Sequence, residues 1–164
     1  MLNIIVVVAN GSLARFFSLR PAETPEFESS PCMVEHGTLT NPEQTASSKE
    51  LWSDSRSGSN RGAAGGGVHR YDDHRNQHRA EYERRFVQSV AGETAALARN
   101  EGAARVVVTA DNRMLGMLRD ELHRNNGFEI KEVAKDYSKF SVHELHEQLA
   151  ALALIPARRR PGFQ

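Results

Sequence analysis

Chemistry-bearing side chains are densest in one stretch of the chain, His69-Arg70-Tyr71-Asp72-Asp73-His74-Arg75-Asn76-Gln77-His78-Arg79. His74 and His78 stand four residues apart, a spacing that sets two imidazoles on one helical face and suits a pair of metal ligands. Asp72 or Asp73 would add a carboxylate. The same residues also describe a solvated helix start, with Asp72 and Asp73 placed where the helix dipole favours negative charge. There is no His-Glu-x-x-His motif and Cys32 is the only cysteine. The metal reading therefore rests on a lone histidine pair, and the solvated helix start is the stronger of the two.

Other catalytic groupings fare no better. Cys32 falls in an apolar stretch, where a single cysteine behaves as a small hydrophobe. No serine sits in a Gly-x-Ser-x-Gly elbow. A ribonuclease-H-type nuclease needs carboxylates on its central strands to hold Mg²⁺, and the apolar segments Asn3 to Ala9 and Arg105 to Thr109 contain none. The run Gly65-Gly66-Gly67 lacks the Gly-Lys-Ser/Thr of a phosphate loop. No catalytic residue, cofactor or metal is assigned on these grounds; a hydrolase or nuclease using the His69 to His78 cluster is the weakest reading. What remains is arginine interspersed with glycine: Arg56, Arg61, Gly65, Gly66, Gly67, His69, Arg70, Arg75 and Arg79. Guanidinium groups on flexible backbone suit phosphate contacts to a nucleic acid, which need no base readout. The competing reading is a solubilising loop, because Asp54, Asp72 and Asp73 dilute the charge.

The elements that must position these residues follow from periodicity. Ile4-Ile-Val-Val-Val8 is short and β-branched, and reads as a strand buried on both faces. Asn10-Gly11 predicts a type I′ hairpin turn, since both residues tolerate positive φ. Ala14 to Leu19 then returns antiparallel, closed by Pro21 and Pro25, and Cys32-Met33-Val34 supplies a third strand. From Thr38 to Asp73 the chain is rich in Ser, Asn, Gly and Arg, which predicts a long mobile loop. Tyr82, Phe86, Val90, Thr94 and Leu97 then recur at helical spacing over Asp73 to Asn100, with Gly102 at the stop. Arg105 to Thr109 is a second buried strand. Asp111 caps a helix carrying Met114, Leu115, Leu118 and Leu122. Phe128 to Val133 is a further strand, and Ser141-Val-His-Glu144 is a capping box for a last helix with the stripe Val142, Leu145, Leu149 and Leu152, ended by Pro156. The order β-β-β, loop, α-β-α-β-α predicts an α/β fold: one mixed five-stranded sheet in the order 3-2-1-4-5 with flanking helices, of ribonuclease-H-like outline.

Length and charge agree. The chain has 164 residues and 18.2 kDa, enough for a single domain over 1–156 with a basic tail at 157–164. Hydrophobic residues make up 39% and charged residues 26%, with a mean hydropathy of -0.54. Lys plus Arg and Asp plus Glu are both 21, for a net charge of zero, which excludes a wholesale polycation. One cysteine fits a reducing compartment. No apolar run approaches the roughly 18 residues of a membrane span, and the apolar start lacks a positive flank and a cleavage site. A cytoplasmic location is expected.

Three stretches together resemble the bacterial host attachment protein family. They are Val6-Val-Val-Ala-Asn-Gly-Ser-Leu-Ala-Arg-Phe-Phe-Ser-Leu19; Leu51-Trp-Ser-Asp-Ser-Arg-Ser-Gly58 with Gly67-Val-His-Arg70 and the Glu81 to Phe86 helix; and Glu132-Val-Ala-Lys-Asp-Tyr137 through His143-Glu-Leu-His-Glu-Gln-Leu149. Asn10 stands where the family commonly has Asp, and Tyr137 replaces Leu in its Lys-Asp-Leu segment. The family is in turn related to the central domain of archaeo-eukaryotic class-1 release factors and of the ribosome-rescue factor Pelota. In release factors a Gly-Gly-Gln loop precedes an Arg-rich helix; here Gly65-Gly66-Gly67-Val68 has no Gln. The resemblance implies that architecture without its hydrolytic group, and RNA or the ribosome as partner. The alternative is a protein-interaction factor acting indirectly in attachment to host cells.

Overall fold

The computed structural model describes residues 3–42, 68–124 and 127–162, with the side chains of the long helix described from Asn76 onward. Its elements are β1 (Ile4–Ala9), β2 (Leu13–Arg20), β3 (Cys32–Thr40), α1 (Val68–Glu101), β4 (Arg105–Thr109), α2 (Asn112–His123), β5 (Glu129–Val133) and α3 (Val142–Ala151). The sheet order is β3-β2-β1-β4-β5, as the sequence predicts. β1 pairs antiparallel with β2 and parallel with β4, and β5 extends the parallel side.

All six residues of β1 are buried. Because side chains alternate along a strand, the sheet has two cores. Ile5, Val7 and Ala9 pack with Phe86, Val87, Val90 and Ala91 of α1 and Met114, Leu118 and Leu122 of α2. Ile4, Val6 and Val8 pack on the other face with Phe17, Val107, Tyr137 and Leu145 and Leu149 of α3. α2 and α3 start as expected: Asp111 accepts from the Met114 amide and Ser141 from the Glu144 amide. Gly102 ends α1 at φ +61.

Four expectations need correction. The Asn10-Gly11 turn is not type I′, since neither residue takes a positive φ. Instead Asn10 Oδ1 accepts from the amides of Ser12 and Leu13 at 2.8 and 2.9 Å, an Asx turn in which the side chain replaces the special backbone. β3 runs on to Thr40 and α1 begins at Val68, so both ends of the loop expected over 38–73 are regular structure, and 43–67 lie outside the described residues. Asp72 and Asp73 consequently sit past the first turn of α1, which holds no acid. Finally, α3 stops at Ala151, not Pro156, and Leu152 is exposed. Ala153 takes φ +59 there, and the Leu154 amide reaches back to the Leu149 carbonyl, a left-handed helix stop.

Tyr137 is the second core's one polar flaw. Its ring packs 4.9 Å from that of Phe140, and its hydroxyl is buried without a hydrogen-bond partner among the described residues. Leaving a buried hydroxyl unmade costs about 1–3 kcal/mol. Tyr137→Phe is therefore expected to raise stability by about 1 kcal/mol, read as a higher urea midpoint at unchanged slope. A lower midpoint would mean that the hydroxyl has a partner.

Candidate functional site

α1 has 34 residues, about 51 Å at the helical rise. Its first fully buried side chain among those described is Phe86, and residues 76–80 are exposed at every position. A stretch of helix exposed all round is not lying on the core, so residues 76–80 of α1 stand clear of the body. His78 and Arg79 are on this exposed part. Farther along, Arg84 and Arg85 both pair with Glu81, at 3.1 and 3.2 Å, and Glu83 reaches Arg113 of α2 at 2.8 Å. Exposed pairs of this kind contribute little stability.

Of the residues singled out for binding, His69, Arg70 and Arg75 fall in the opening turns of α1, as does His74, but their side chains lie outside those described. Arg56, Arg61, Gly65, Gly66 and Gly67 lie outside the described residues altogether. Helical spacing sets Arg75 and Arg79 on one side of α1. Among the described residues no group of three His, Cys, Asp or Glu is placed to hold a metal; the His74 side chain is not among them.

The structure brings together two clusters that the sequence reading did not assemble. At the carboxyl ends of β1 and β5, where open α/β sheets bind ligands, Asn10 Nδ2 donates to Asp136 Oδ2 at 3.3 Å and to Ser138 Oγ at 3.1 Å. Arg15 donates to the carbonyls of Ser138 and Phe140 at 3.1 and 2.6 Å and forms a two-pronged pair with Glu35. Its guanidinium also lies 5.0 Å from the Phe17 ring centre. Burial pushes the Asp136 pKa up, but hydrogen bonds from Ser138 and Asn10 and the charge of Lys139 outweigh it, holding the carboxyl below its ordinary value. An ionised carboxylate already held by donors is a poor general base, and Glu35 is neutralised by Arg15. The cluster is a latch that ties the segment after β5 to the β1–β2 hairpin.

The second cluster is Ser18, His36 and Glu101. β3 bulges opposite Phe16 and Phe17, which re-aims His36 so that its Nε2 lies 2.6 Å from Ser18 Oγ. Glu101 Oε1 approaches the same nitrogen at 3.9 Å and is held by Arg20. A catalytic triad needs its carboxylate on the other ring nitrogen, to orient the base. Here both partners crowd one nitrogen, and Ser18 is 1% exposed. The grouping is not a nucleophilic site.

A family model described as "Protein required for attachment to host cells" matches residues 5–149. The chain belongs to this family. That description names a cellular outcome and no chemical ligand. No curated protein matches the chain. Among solved structures it is similar to the type II variant of the Aquifex aeolicus Ppx/GppA phosphatase, at 8% identity and a TM-score of 0.40 over 81% of this chain. The chain spans 36% of that phosphatase's length, and a likeness of this size carries no argument about activity. No described helix is long and apolar enough to cross a membrane.

The latch has a pH signature. With the Asp136 pKa lowered by folding, its contribution is complete above the unfolded carboxyl value of about 3.9 and is lost as pH falls through the folded value. Asp136→Asn should therefore lower the urea midpoint at neutral pH and flatten the loss of stability on acidification. Parallel acid limbs in the two proteins would show that Asp136 is not held in this way.

Proposed function

We propose that this host attachment family protein is a cytoplasmic, non-catalytic binding module, and that it holds RNA backbone, free or on the ribosome, with the N-terminal part of α1 and the Gly/Arg segment before it. The observation that carries the reading is the exposure of residues 76–80 on all sides of a helix whose C-terminal half packs on the sheet. A helix that leaves its own core presents both flanks to a groove or a second surface. The residues it brings there by sequence are His69, Arg70, His74, Arg75, His78 and Arg79, whose basic groups suit phosphate contacts. The motif resemblance to release-factor and Pelota central domains supports the same surface and the ribonuclease-H-like outline. Support for the absence of catalysis comes from the latch, whose carboxylates are occupied, and from the lack of a Gln after Gly65-Gly66-Gly67. Attachment to a host is then an indirect consequence of what the protein binds.

The test is a triple charge reversal, Arg70→Glu, Arg75→Glu and Arg79→Glu. Surface substitutions move stability by about 0.5 kcal/mol or less each, so the melting temperature should stay close to that of the unaltered protein. Association with RNA or ribosomes should weaken, and its dependence on salt concentration should flatten as phosphate contacts are lost. Undiminished, equally salt-dependent binding by the folded triple variant would remove α1 as the contact surface. Absence of RNA and ribosome binding in the unaltered protein would leave a protein partner as the reading to pursue.

A further inference from the structure

The chain after α3 builds a second site, remote from α1. It turns at Ala153, buries Ile155 in the core, and runs back until Arg159 bridges Ser30. The bridge is reciprocal: the Ser30 amide donates to the Arg159 carbonyl at 3.1 Å, and the Arg159 amide donates to the Ser30 carbonyl at 2.9 Å. Side chains alternate along extended backbone, so Arg158 and Arg160 share one side. Both line an open cavity of about 570 Å³ together with Ser29 and with His143, His146 and Glu147 of α3; Arg159 is not in the lining. The bridge thus sets the backbone from which both arginines reach the cavity, and neither guanidinium has an ion-pair partner among the described residues.

His146 lines the same cavity, and the charge of Arg158 acts on it. It is 3% exposed, and its Nε2 lies 2.9 Å from the Pro156 carbonyl oxygen. A carbonyl only accepts, so Nε2 carries the proton and the neutral ring keeps its lone pair on Nδ1. Nδ1 has no partner among the described residues, and the one sealed orphan atom among them is the Tyr137 hydroxyl. Nδ1 is therefore not sealed from solvent, and His146 lines the cavity. Burial favours the neutral ring, the Pro156 carbonyl opposes that, the charges of Arg158 and His143 reinforce it, and Glu147 opposes it, leaving the pKa lowered. Glu147 itself is engaged by His143 Nε2 at 2.9 Å.

A cavity with two unpaired guanidinium groups and one buried acceptor calls for a ligand that is an anion and also a proton donor. We propose that it binds a small ligand bearing a hydrogen phosphate group, whose P–OH donates to His146 Nδ1 while its charged oxygens accept from Arg158 and Arg160. Charge-assisted bonds of this kind are the strong ones. The cavity is open to solvent and lined by small Ala150, Ala151 and Ala157 beside the charged groups, which leaves room for the alcohol part of a phosphate monoester. A phosphodiester has no such proton, so this site is chemically distinct from the RNA surface proposed on α1, and the two stand or fall separately.

The test follows the His146 ring nitrogens by NMR in the full chain, titrated with inorganic phosphate, glycerol 3-phosphate and sulfate. Sulfate has the shape and charge but no proton to donate at neutral pH. The expected result is a saturable shift of Nδ1 with both phosphates, tighter for glycerol 3-phosphate, and affinity about tenfold weaker for sulfate. Arg158→Gln with Arg160→Gln, at two exposed positions, should leave the melting temperature unchanged and weaken phosphate binding about tenfold or more. Glu147→Gln should strengthen it by removing a like charge. Equal affinity for inorganic phosphate and glycerol 3-phosphate would identify the free ion as the ligand. An unresponsive Nδ1, phosphate binding undiminished in the double variant, or sulfate binding as tightly as phosphate would overturn the proposal.

Discussion

A strand with no solvent face must be covered on both sides, and β1 is such a strand along its whole length. Its six residues send Ile5, Val7 and Ala9 to one face and Ile4, Val6 and Val8 to the other, so neither a two-layer arrangement nor an edge position would bury it. The rest of the fold answers that demand. β2 and β4 flank it, α1 and α2 cover one face, and α3 with the segments around it covers the other. Full burial of a large aliphatic side chain stabilises by roughly 1.5–3 kcal/mol, and every residue of this strand is buried. Loss of either helical layer would expose half of it.

The same constraint shapes where function can sit. The carboxyl ends of β1 and β5 are the customary ligand position in a sheet of this kind, yet here they are filled by the protein's own polar groups. Asn10, Arg15, Asp136 and Ser138 satisfy one another across 126 or so residues of sequence, and little donor or acceptor capacity is left over. The two surfaces proposed above for binding both lie where the chain leaves the core: at residues 76–80 of α1 and at the segment that returns past α3.

The strand order and the two buried strands were legible in the sequence because an apolar β-branched run has few other uses, and because Asp111 and Ser141 mark helix starts by a mechanism that is local. The turn and the start of α1 were not legible, for different reasons. Asn-Gly can turn a chain through positive φ or through the Asn side chain, and the dipeptide alone does not choose; the Asn41 amide and side chain packing on the carbonyls of Ser12 and Gly11 do. The start of α1 has no apolar period before Tyr82, so periodicity placed the start five residues late. The latch and the His146 cavity depend on partners far apart in sequence. Asn10 and Lys135-Asp136 each stood inside a motif that carries the family resemblance, which was the available sign that they belong together. His146 sits beside Leu145 on α3, at the edge of a stripe read only for its leucines.

The projecting helix has a mechanical side. α1 is held along its C-terminal half and continues as a rod with no lateral support from the core among the described residues. Any load applied near its tip acts at the end of a long arm and arrives at the fulcrum around Phe86 and Val90 as a torque against β1. Small rotations there would be magnified into displacements of several ångströms at the tip, so a partner that seizes the arm also grips the central strand of the molecule.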